Sequence, residues 1–179
     1  MLEAELIKKC RLNDGLAFEV LIQNYRRQLF SYLLRLSGNR MLAEDLFQET
    51  LIKVWKGIKF YNDQNKFSSW LFSIAHNTAV DSIRSASVRN RTSSLEDTNE
   101  YSGKNNPYES LVEKERYEMI MLAVNELPEN QKNVFLLRQH GGLTFKEIAK
   151  TMDRPLNTVL GHMHYAVLKI RKKLDKEYG

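Results

Sequence analysis

The stretch LTFKEIAKTMDRPLNTVLGHMHYAVLKI, from Leu143 to Ile170, decides the fold of the second half of the chain. Thr144 and Glu147 have the spacing of a capping box, in which a hydroxyl and a carboxylate each satisfy a free backbone N–H at a helix start. Pro155 disfavours helix at the residue before it and suits the first turn of the next helix. The stretch therefore predicts a short helix, a tight turn and then a longer helix.

The longer helix has two different faces. At helical spacing, one apolar stripe must face a core; it contains Leu156, Val159, Met163, Val167, Ile170 and Leu174. In DNA-binding helix-turn-helix units, the helix after the turn enters the major groove with its N-terminal residues. The predicted base readers are Asn157, Thr158, Gly161, His164 and Tyr165. Lys169 and Lys172 lie further along and are predicted to contact phosphates.

The composition is that of a helical globular protein with a positive charge. The chain has 179 residues, of which 42% are hydrophobic and 27% charged, so it can bury a core. Only 3 prolines and 8 glycines interrupt regular structure. The net charge is +5, and from Gly141 to Gly179 eight Lys and Arg stand against four Asp and Glu. This excess favours binding to the DNA backbone.

Other classes of function receive little support. The N-terminus has no long apolar run, so we expect no signal peptide, no membrane insertion and a cytoplasmic protein. The single cysteine, Cys10, cannot form an internal disulfide and is either a small buried residue or a redox handle. His162 and His164 point about 200° apart on a helix and cannot share a metal ion. We predict no metal, no cofactor and no enzymatic activity, since no phosphate loop or nucleophile–base pair is identifiable.

The sequence predicts an all-α fold of two small helical domains joined by a flexible linker. No segment of useful length alternates with period two. Residues 91–110 are polar and contain Gly103 and Pro107, and within 92–110 four acids stand against one base; they form an acidic linker or, equally, a solvated surface loop. The predicted helices are 2–11, 14–36, 40–58 and 67–88 in the domain 1–90, and 109–126, 129–140, 144–152 and 156–176 in the domain 111–179.

The helix over 67–88 has a polar and aromatic face beside two buried stripes. The stripes contain Phe67, Leu71, Ile74 and Thr78, and Phe72, Ala79 and Ile83. The remaining face carries Trp70, Ser73, Asn77, Asp81 and Arg84, and the loop before the helix adds Lys59, Phe60, Tyr61 and Lys66. Aromatic rings stack on bases, amides bond base edges and arginine holds phosphates, so this face is a candidate surface for a nucleic-acid strand. The alternative is ordinary packing of Trp70 and solvation of Asn77.

The helix over 40–58 has an apolar centre with a polar rim on its outer face. Leu46, Phe47, Thr50 and Val54 are predicted to point inward. The outer face carries Asp45, Gln48, Glu49, Ile52 and Lys56. An isoleucine surrounded by acids and an amide is typical of a protein-docking patch. A solvated helix with one exposed apolar residue is the alternative.

Four segments, in this order, resemble the sigma-70 family of RNA polymerase sigma factors, and in particular its extracytoplasmic-function (ECF) type. They are AEDLFQETLIKVW (43–55), NKFSSWLFSIAHNTAVDSIR (65–84), LPENQKNVFLLRQHGGLTFKEIAKTM (127–152) and PLNTVLGHMHYAVLKIRKKL (155–174). The ECF type keeps two helical domains, sigma-two and sigma-four, with a linker between them. The resemblance implies a transcription initiation factor that binds core RNA polymerase and promoter DNA. Many relatives are held inactive by an anti-sigma factor, so a partner of that kind is a further expectation.

The resemblance also implies roles for the surfaces found above. Asp45, Gln48 and Glu49 match the run that docks on the clamp helices of the polymerase largest subunit. Phe67, Trp70, Asn77, Asp81 and Arg84 match the run that faces the minus-ten element and helps to separate its strands. The loop around 59–66 matches the place where the family captures an unstacked base. The linker matches the segment that runs toward the catalytic cleft and the RNA exit path.

The second helix of the helix-turn-helix departs from the family pattern. Relatives usually read G-T-V-K/R-S-R-x-x-R-A in these slots, which here hold Asn157, Thr158, Val159, Leu160, Gly161 and His162, with Tyr165 where an arginine is common. Without those arginines the helix has no bidentate reader of guanine. A free-standing helix-turn-helix regulator is the rival function. The docking patch discriminates between the two, because such a regulator has no use for it.

Overall fold

The computed structural model describes residues 2–62, 66–89 and 111–178, which are helical throughout apart from short connections and contain no strand. The all-α prediction is confirmed for this part of the chain. The helices are α1 (Glu3–Arg11), α2 (Gly15–Gln23), α3 (Arg26–Ser37), α4 (Arg40–Gly57), α5 (Phe67–Arg89), α6 (Leu111–Asn125), α7 (Glu129–Gly141), α8 (Phe145–Met152) and α9 (Leu156–Tyr178). A short 3₁₀ helix, Ile58–Phe60, follows α4. The predicted linker, 91–110, lies outside the described residues.

The prediction of one helix over 14–36 is wrong, because α2 ends at Gln23 and α3 begins at Arg26. Tyr25 has φ −112° and ψ −11°, away from regular helical values. Its hydroxyl donates to a carboxylate oxygen of Glu3, and its ring lies 5.5 Å from that of Phe67. These long-range contacts stabilise a break that the apolar periodicity of the segment does not reveal.

The helices α1 to α5 enclose a core with a buried polar pair at its centre. Tyr32 is fully buried, and its hydroxyl lies 2.9 Å from Nδ1 of His76. Cys10 is also fully buried, and burial, with the nearby charge of Asp14, raises the pKa of its thiol. A buried thiol with a raised pKa is protonated and unreactive. Of the two alternatives for Cys10, the structure favours the small core residue.

The helix-turn-helix forms as the sequence predicts. The Thr144 side chain accepts from the backbone N–H of Glu147, and the Glu147 carboxylate accepts from the backbone N–H of Thr144, which completes the capping box. Asp153 closes α8 in the left-handed conformation, with φ 50°. In α9, Val159, Ala166 and Ile170 are buried. Val167 is exposed, contrary to its predicted place in the core, because the buried stripe passes through the small Ala166 instead.

The two helical blocks on either side of residues 90–110 pack against each other, through α3 and α5 on one side and α7 and α8 on the other. The end of α7 approaches α5 closely at Gly141, where a Cβ would lie only 3.0 Å from Cγ of Phe72. Two hydroxyl groups of α5 contact α8. Ser69 Oγ donates to Oε1 of Glu147 at 2.8 Å, and Ser73 Oγ lies 2.7 Å from Oγ1 of Thr151.

Candidate functional site

The outer face of α4 is exposed as the sequence predicts. Asp45, Gln48, Glu49 and Ile52 all face solvent, and Leu46, Phe47, Thr50 and Val54 are all buried. Ile52 is 54% exposed at the centre of this face. The face therefore has an accessible apolar centre with carboxylates and an amide around it, as the docking prediction requires.

Lys53 connects this face to α5. Its Nζ lies 2.8 Å from Oε1 of Glu49 and donates to Oγ1 of Thr78 at 3.1 Å. The ion pair is half-exposed and contributes little stability by itself. The ion pair on α4 and the hydrogen bond to Thr78 on α5 together hold the lysine between the two helices.

A cavity of about 450 Å³ lies between α4, the 3₁₀ helix and α5. Its lining is formed by Lys53, Gly57, Phe60, Trp70, Ile74, Asn77 and Thr78. Three residues of the predicted strand-binding surface, Phe60, Trp70 and Asn77, thus meet at one opening. Sequence reasoning missed Lys53 and Gly57, because they lie on a different helix. Gly57 leaves room for the indole of Trp70, since a Cβ there would lie 3.1 Å from Cζ2 of that ring.

The indole of Trp70 is supported by two further rings. The centroid of Tyr61 lies 4.9 Å from it and that of Phe67 lies 5.8 Å from it. Contrary to its predicted place on the strand-binding surface, Tyr61 is only 6% exposed, and its ring packs behind Trp70. Phe60, by contrast, is 87% exposed. Of these two neighbouring residues, Tyr61 is buried and supports the Trp70 ring, whereas Phe60 is free to contact a ligand.

The other residues predicted to contact the minus-ten strand, apart from Ser73, are exposed. They are Lys59, Lys66, Asn77 and Arg84. Ser73 is half-buried, since its hydroxyl contacts Thr151 of α8 and also donates to the carbonyl of Ser69. Ser73 is therefore engaged at the contact between the two helical blocks.

The predicted DNA-reading side of α9 is open to solvent. Asn157, Thr158, His164 and Tyr165 are exposed, Gly161 is half-buried, and Lys169 and Lys172 are exposed further along the helix. The rings of His164 and Tyr165 meet edge to face, with centroids 5.6 Å apart. Leu160, which is not among the predicted readers, is also exposed on this part of the helix.

Among the described residues, no group of three or more His, Cys, Asp or Glu side chains could hold a metal ion. Within the same residues, every helix is too short or too polar to cross a membrane.

Two family models match the chain, and they divide it as the two helical blocks do. Sigma-70 region 2 matches residues 21–89, and sigma-70 region 4 matches residues 117–170. Together these ranges span more than half of the chain and contain the α4 face, the cavity and the first turns of α9. The chain belongs to the sigma-70 family. As a sigma factor, it is a transcription initiation factor that directs RNA polymerase to promoters.

The curated relatives place this sigma factor in the ECF type. The RNA polymerase sigma-H factor of Pseudomonas aeruginosa is 24% identical, over 97% of this chain and 92% of its own length. The ECF RNA polymerase sigma-E factor of Haemophilus influenzae is 26% identical, over 95% of this chain and 94% of its own. The sigma-E factor of Escherichia coli K12 is 27% identical, over 96% and 92%. The likeness thus extends over nearly the full length of each relative.

Two solved structures share the fold of this sigma factor. The sigma factor RpoE, in complex with the anti-sigma factor NepR from Bartonella quintana, gives a TM-score of 0.75 at 21% identity, covering 88% of this chain and 96% of that one. CnrH, in complex with the cytosolic domain of CnrY, gives 0.67 at 18% identity, covering 96% of both chains.

Two histidines, the buried His76 and the partly buried His140, link the stability of the sigma factor to pH. Burial lowers the pKa of His76 to about 4, against a smaller opposing effect of Asp81. Burial, with the positive charge of Arg35, lowers the pKa of His140 to about 4. Both histidines are therefore neutral in the folded protein at neutral pH.

We expect the free energy of unfolding to fall as the pH is lowered from about 6.5 toward 4. In the unfolded chain these histidines bind protons below their ordinary pKa of 6.5, whereas in the folded chain they bind protons only near pH 4, so protons favour unfolding. Each histidine should lower the free energy of unfolding by roughly 1 kcal/mol by about pH 5.5, and this loss should level off below the pKa of the histidine in the folded protein. Urea unfolding at about pH 7.5 and about pH 5.5 measures this. His140→Gln should reduce the pH dependence of the free energy of unfolding, and an unchanged pH dependence in this variant would contradict the assignment.

Proposed function

We propose that this sigma factor works through three surfaces. The exposed face of α4 docks on core polymerase, the cavity between α4 and α5 holds an unstacked base of the minus-ten element, and the first turns of α9 read the minus-thirty-five element. The polymerase performs the catalytic chemistry, and the sigma factor is not itself an enzyme. It acts in the cytoplasm, where the polymerase and the promoter are found.

The cavity is the observation that carries this proposal. Phe60 and Trp70 provide aromatic surface at the same opening as the amide of Asn77, and this combination suits a base that stacks and is bonded at its edge. Lys53 adds a positive charge at that opening, which suits a strand with a phosphate on every nucleotide. Unstacking a base costs a few kcal/mol, and these contacts offset that cost. Lys59, Lys66, Ser73 and Arg84 are proposed as further contacts to the strand.

The proposal for α9 rests on its position after the turn and on its exposed polar residues. Asn157, Thr158, Gly161, His164 and Tyr165 lie on the first turns, the part of a recognition helix that reaches base edges. Lys169 and Lys172 lie beyond them and contact phosphates.

The domain division is likewise a proposal. Residues 1–90 form the sigma-two domain, 91–110 an acidic linker and 111–179 the sigma-four domain. The ranges of the two family models, 21–89 and 117–170, support these limits.

An anti-sigma factor is a further proposed partner. A solved structure that shares this fold, the sigma factor RpoE, is bound to the anti-sigma factor NepR. A protein that holds this chain inactive should suppress transcription in the assay below when it is added before core polymerase, and a protein that leaves the transcript unchanged is not its anti-sigma factor.

Run-off transcription with purified core polymerase over a promoter library tests the proposal as a whole. We expect specific transcripts only when the sigma factor is present. A free-standing regulator, the rival function, would bind DNA without core polymerase and would add no new transcript start sites. That outcome would overturn the proposal.

Lys172→Ala should weaken binding to all promoters about equally and reduce the salt dependence of binding by about one counterion. The reason is that a phosphate contact supplies affinity without sequence information. Holoenzyme binding to two promoters of different sequence, measured over a range of salt concentrations, tests this. Lys8→Ala, at an exposed lysine on α1, is the control and should leave the salt slope unchanged. A change of sequence preference in Lys172→Ala would show that this lysine reads bases.

A further inference from the structure

Leu160 lies on the first turns of α9 with its side chain in solvent. It is 41% exposed, whereas Val159 beside it is fully buried. Single exposed leucines are common on protein surfaces, so exposure alone assigns no role. The surroundings of Leu160 are what make it informative.

The space beside Leu160 is open. Asn157 lies three residues before Leu160 and His164 lies four residues after it, so both are its neighbours on the helix surface. Gly161 follows it, and a Cβ at that position would meet nothing within 4 Å. The apolar side chain therefore borders a gap on the reading side of the helix, with an amide and an imidazole on the same side. A base-pair edge can approach closely at this gap.

The chemistry of this part of α9 is unusual for a DNA-reading helix. Residues 155–168 contain no Lys or Arg, so the first three turns of α9 have no side chain that could bind guanine in a bidentate manner. In the major groove, the amide of Asn157 suits adenine, which presents N7 and the N6 amino group. An apolar side chain suits the C5-methyl group that distinguishes thymine.

We propose that Leu160 is a specificity-determining residue that selects thymine in the minus-thirty-five element through its C5-methyl group. With Asn157, it directs α9 to A·T pairs in place of guanine. This inference rests on the proposed function, in which α9 lies in the major groove of that element. It concerns the choice of base, not the presence of the helix in the groove.

Replacing thymine by deoxyuridine tests the inference, because it removes the methyl group and leaves every hydrogen-bonding group in place. Holoenzyme with the full-length sigma factor first selects its preferred element from a library randomised over the minus-thirty-five region. Each thymine of that element is then replaced singly by deoxyuridine. We expect one position at which binding weakens about four-fold, the effect of losing one buried methyl group.

Variants of two exposed leucines then assign that position. Leu160→Ala should abolish the sensitivity to deoxyuridine at that position alone. Leu168→Ala is the matched control, since Leu168 is 46% exposed and lies two turns further along the same helix; it should keep the sensitivity. Leu160→Arg should move the selected base at that position toward guanine.

The inference would be overturned if deoxyuridine at no thymine weakened binding of the wild-type protein, or if Leu160→Ala kept the sensitivity to deoxyuridine. It would also be overturned if the wild-type protein selected guanine at the position that responds to Leu160→Ala. A failure of the proposed function looks different, because holoenzyme would then select no element at all in this region.

Discussion

Reversing the charges of Asp45 and Glu49 together, with Asp45→Lys and Glu49→Lys, should weaken the affinity of the sigma factor for core polymerase about 100-fold, roughly 3 kcal/mol. Both carboxylates are exposed beside Ile52, the apolar centre of the α4 face. Like charges placed together at an interface cost several kcal/mol and also slow association. The fold should survive, because neither side chain contributes to the core.

A titration of labelled core polymerase measures this loss. Glu19→Lys is the control for a single charge reversal, since Glu19 lies at an exposed position on α2. Glu49 also pairs with Lys53, so Asp45→Lys alone is included to separate docking from a disturbance of that ion pair. If the double variant binds core polymerase as tightly as Glu19→Lys does, the α4 face is not the docking surface.

Trp70→Ala should impair promoter opening about 5- to 150-fold while changing closed-complex binding little. A base that stacks on an aromatic ring gains about 1–3 kcal/mol, and this gain is made only after the strands separate. Permanganate reactivity of thymines in the minus-ten element reports opening, and filter binding at low temperature reports the closed complex.

Two further variants separate a loss of base stacking from a loss of stability, because Trp70 also packs on Tyr61 and Phe67. Trp70→Phe keeps an aromatic ring and should retain most of the opening. Ile74→Ala removes apolar packing from the same cavity without removing an aromatic ring and should affect stability more than opening. Equal opening by the wild-type protein and Trp70→Ala, at equal thermal stability, would exclude a stacking role.

The local features of the fold could be read from the sequence because each depends on neighbours along the chain. The capping box of Thr144 and Glu147, the turn before Pro155, and the inward and outward faces of α4 all follow from spacing within one or two helical turns. The reading face of α9 could be anticipated in the same way. The family resemblance then predicted a function for each of these faces, which helical periodicity by itself does not do.

The features that the sequence did not reveal all depend on contacts between distant residues. Tyr25 breaks a helix by reaching Glu3 and Phe67, and Tyr61 is buried because it packs behind Trp70. Lys53 lines the cavity only because α4 lies beside α5. A polar stretch over 91–110 says nothing about whether the helices before and after it pack together, since that depends on side chains such as Ser69 and Glu147, which lie 78 positions apart.

A minus-ten strand that contacts Ser73, as proposed, must compete with Thr151 of α8, whose hydroxyl oxygen lies 2.7 Å from that of Ser73. The proton of Ser73 is donated to the carbonyl of Ser69, so Thr151 is the donor in this contact, and a nucleotide group that donates to Ser73 competes with Thr151. On this proposal, binding at the strand surface is coupled to a pre-equilibrium in which α5 and α8 separate. Each ten-fold excess of joined over separated molecules raises the apparent Kd for the promoter about ten-fold. We therefore expect residues at this contact between the two helical blocks, Thr151 and Gly141 among them, to influence how strongly a promoter is bound.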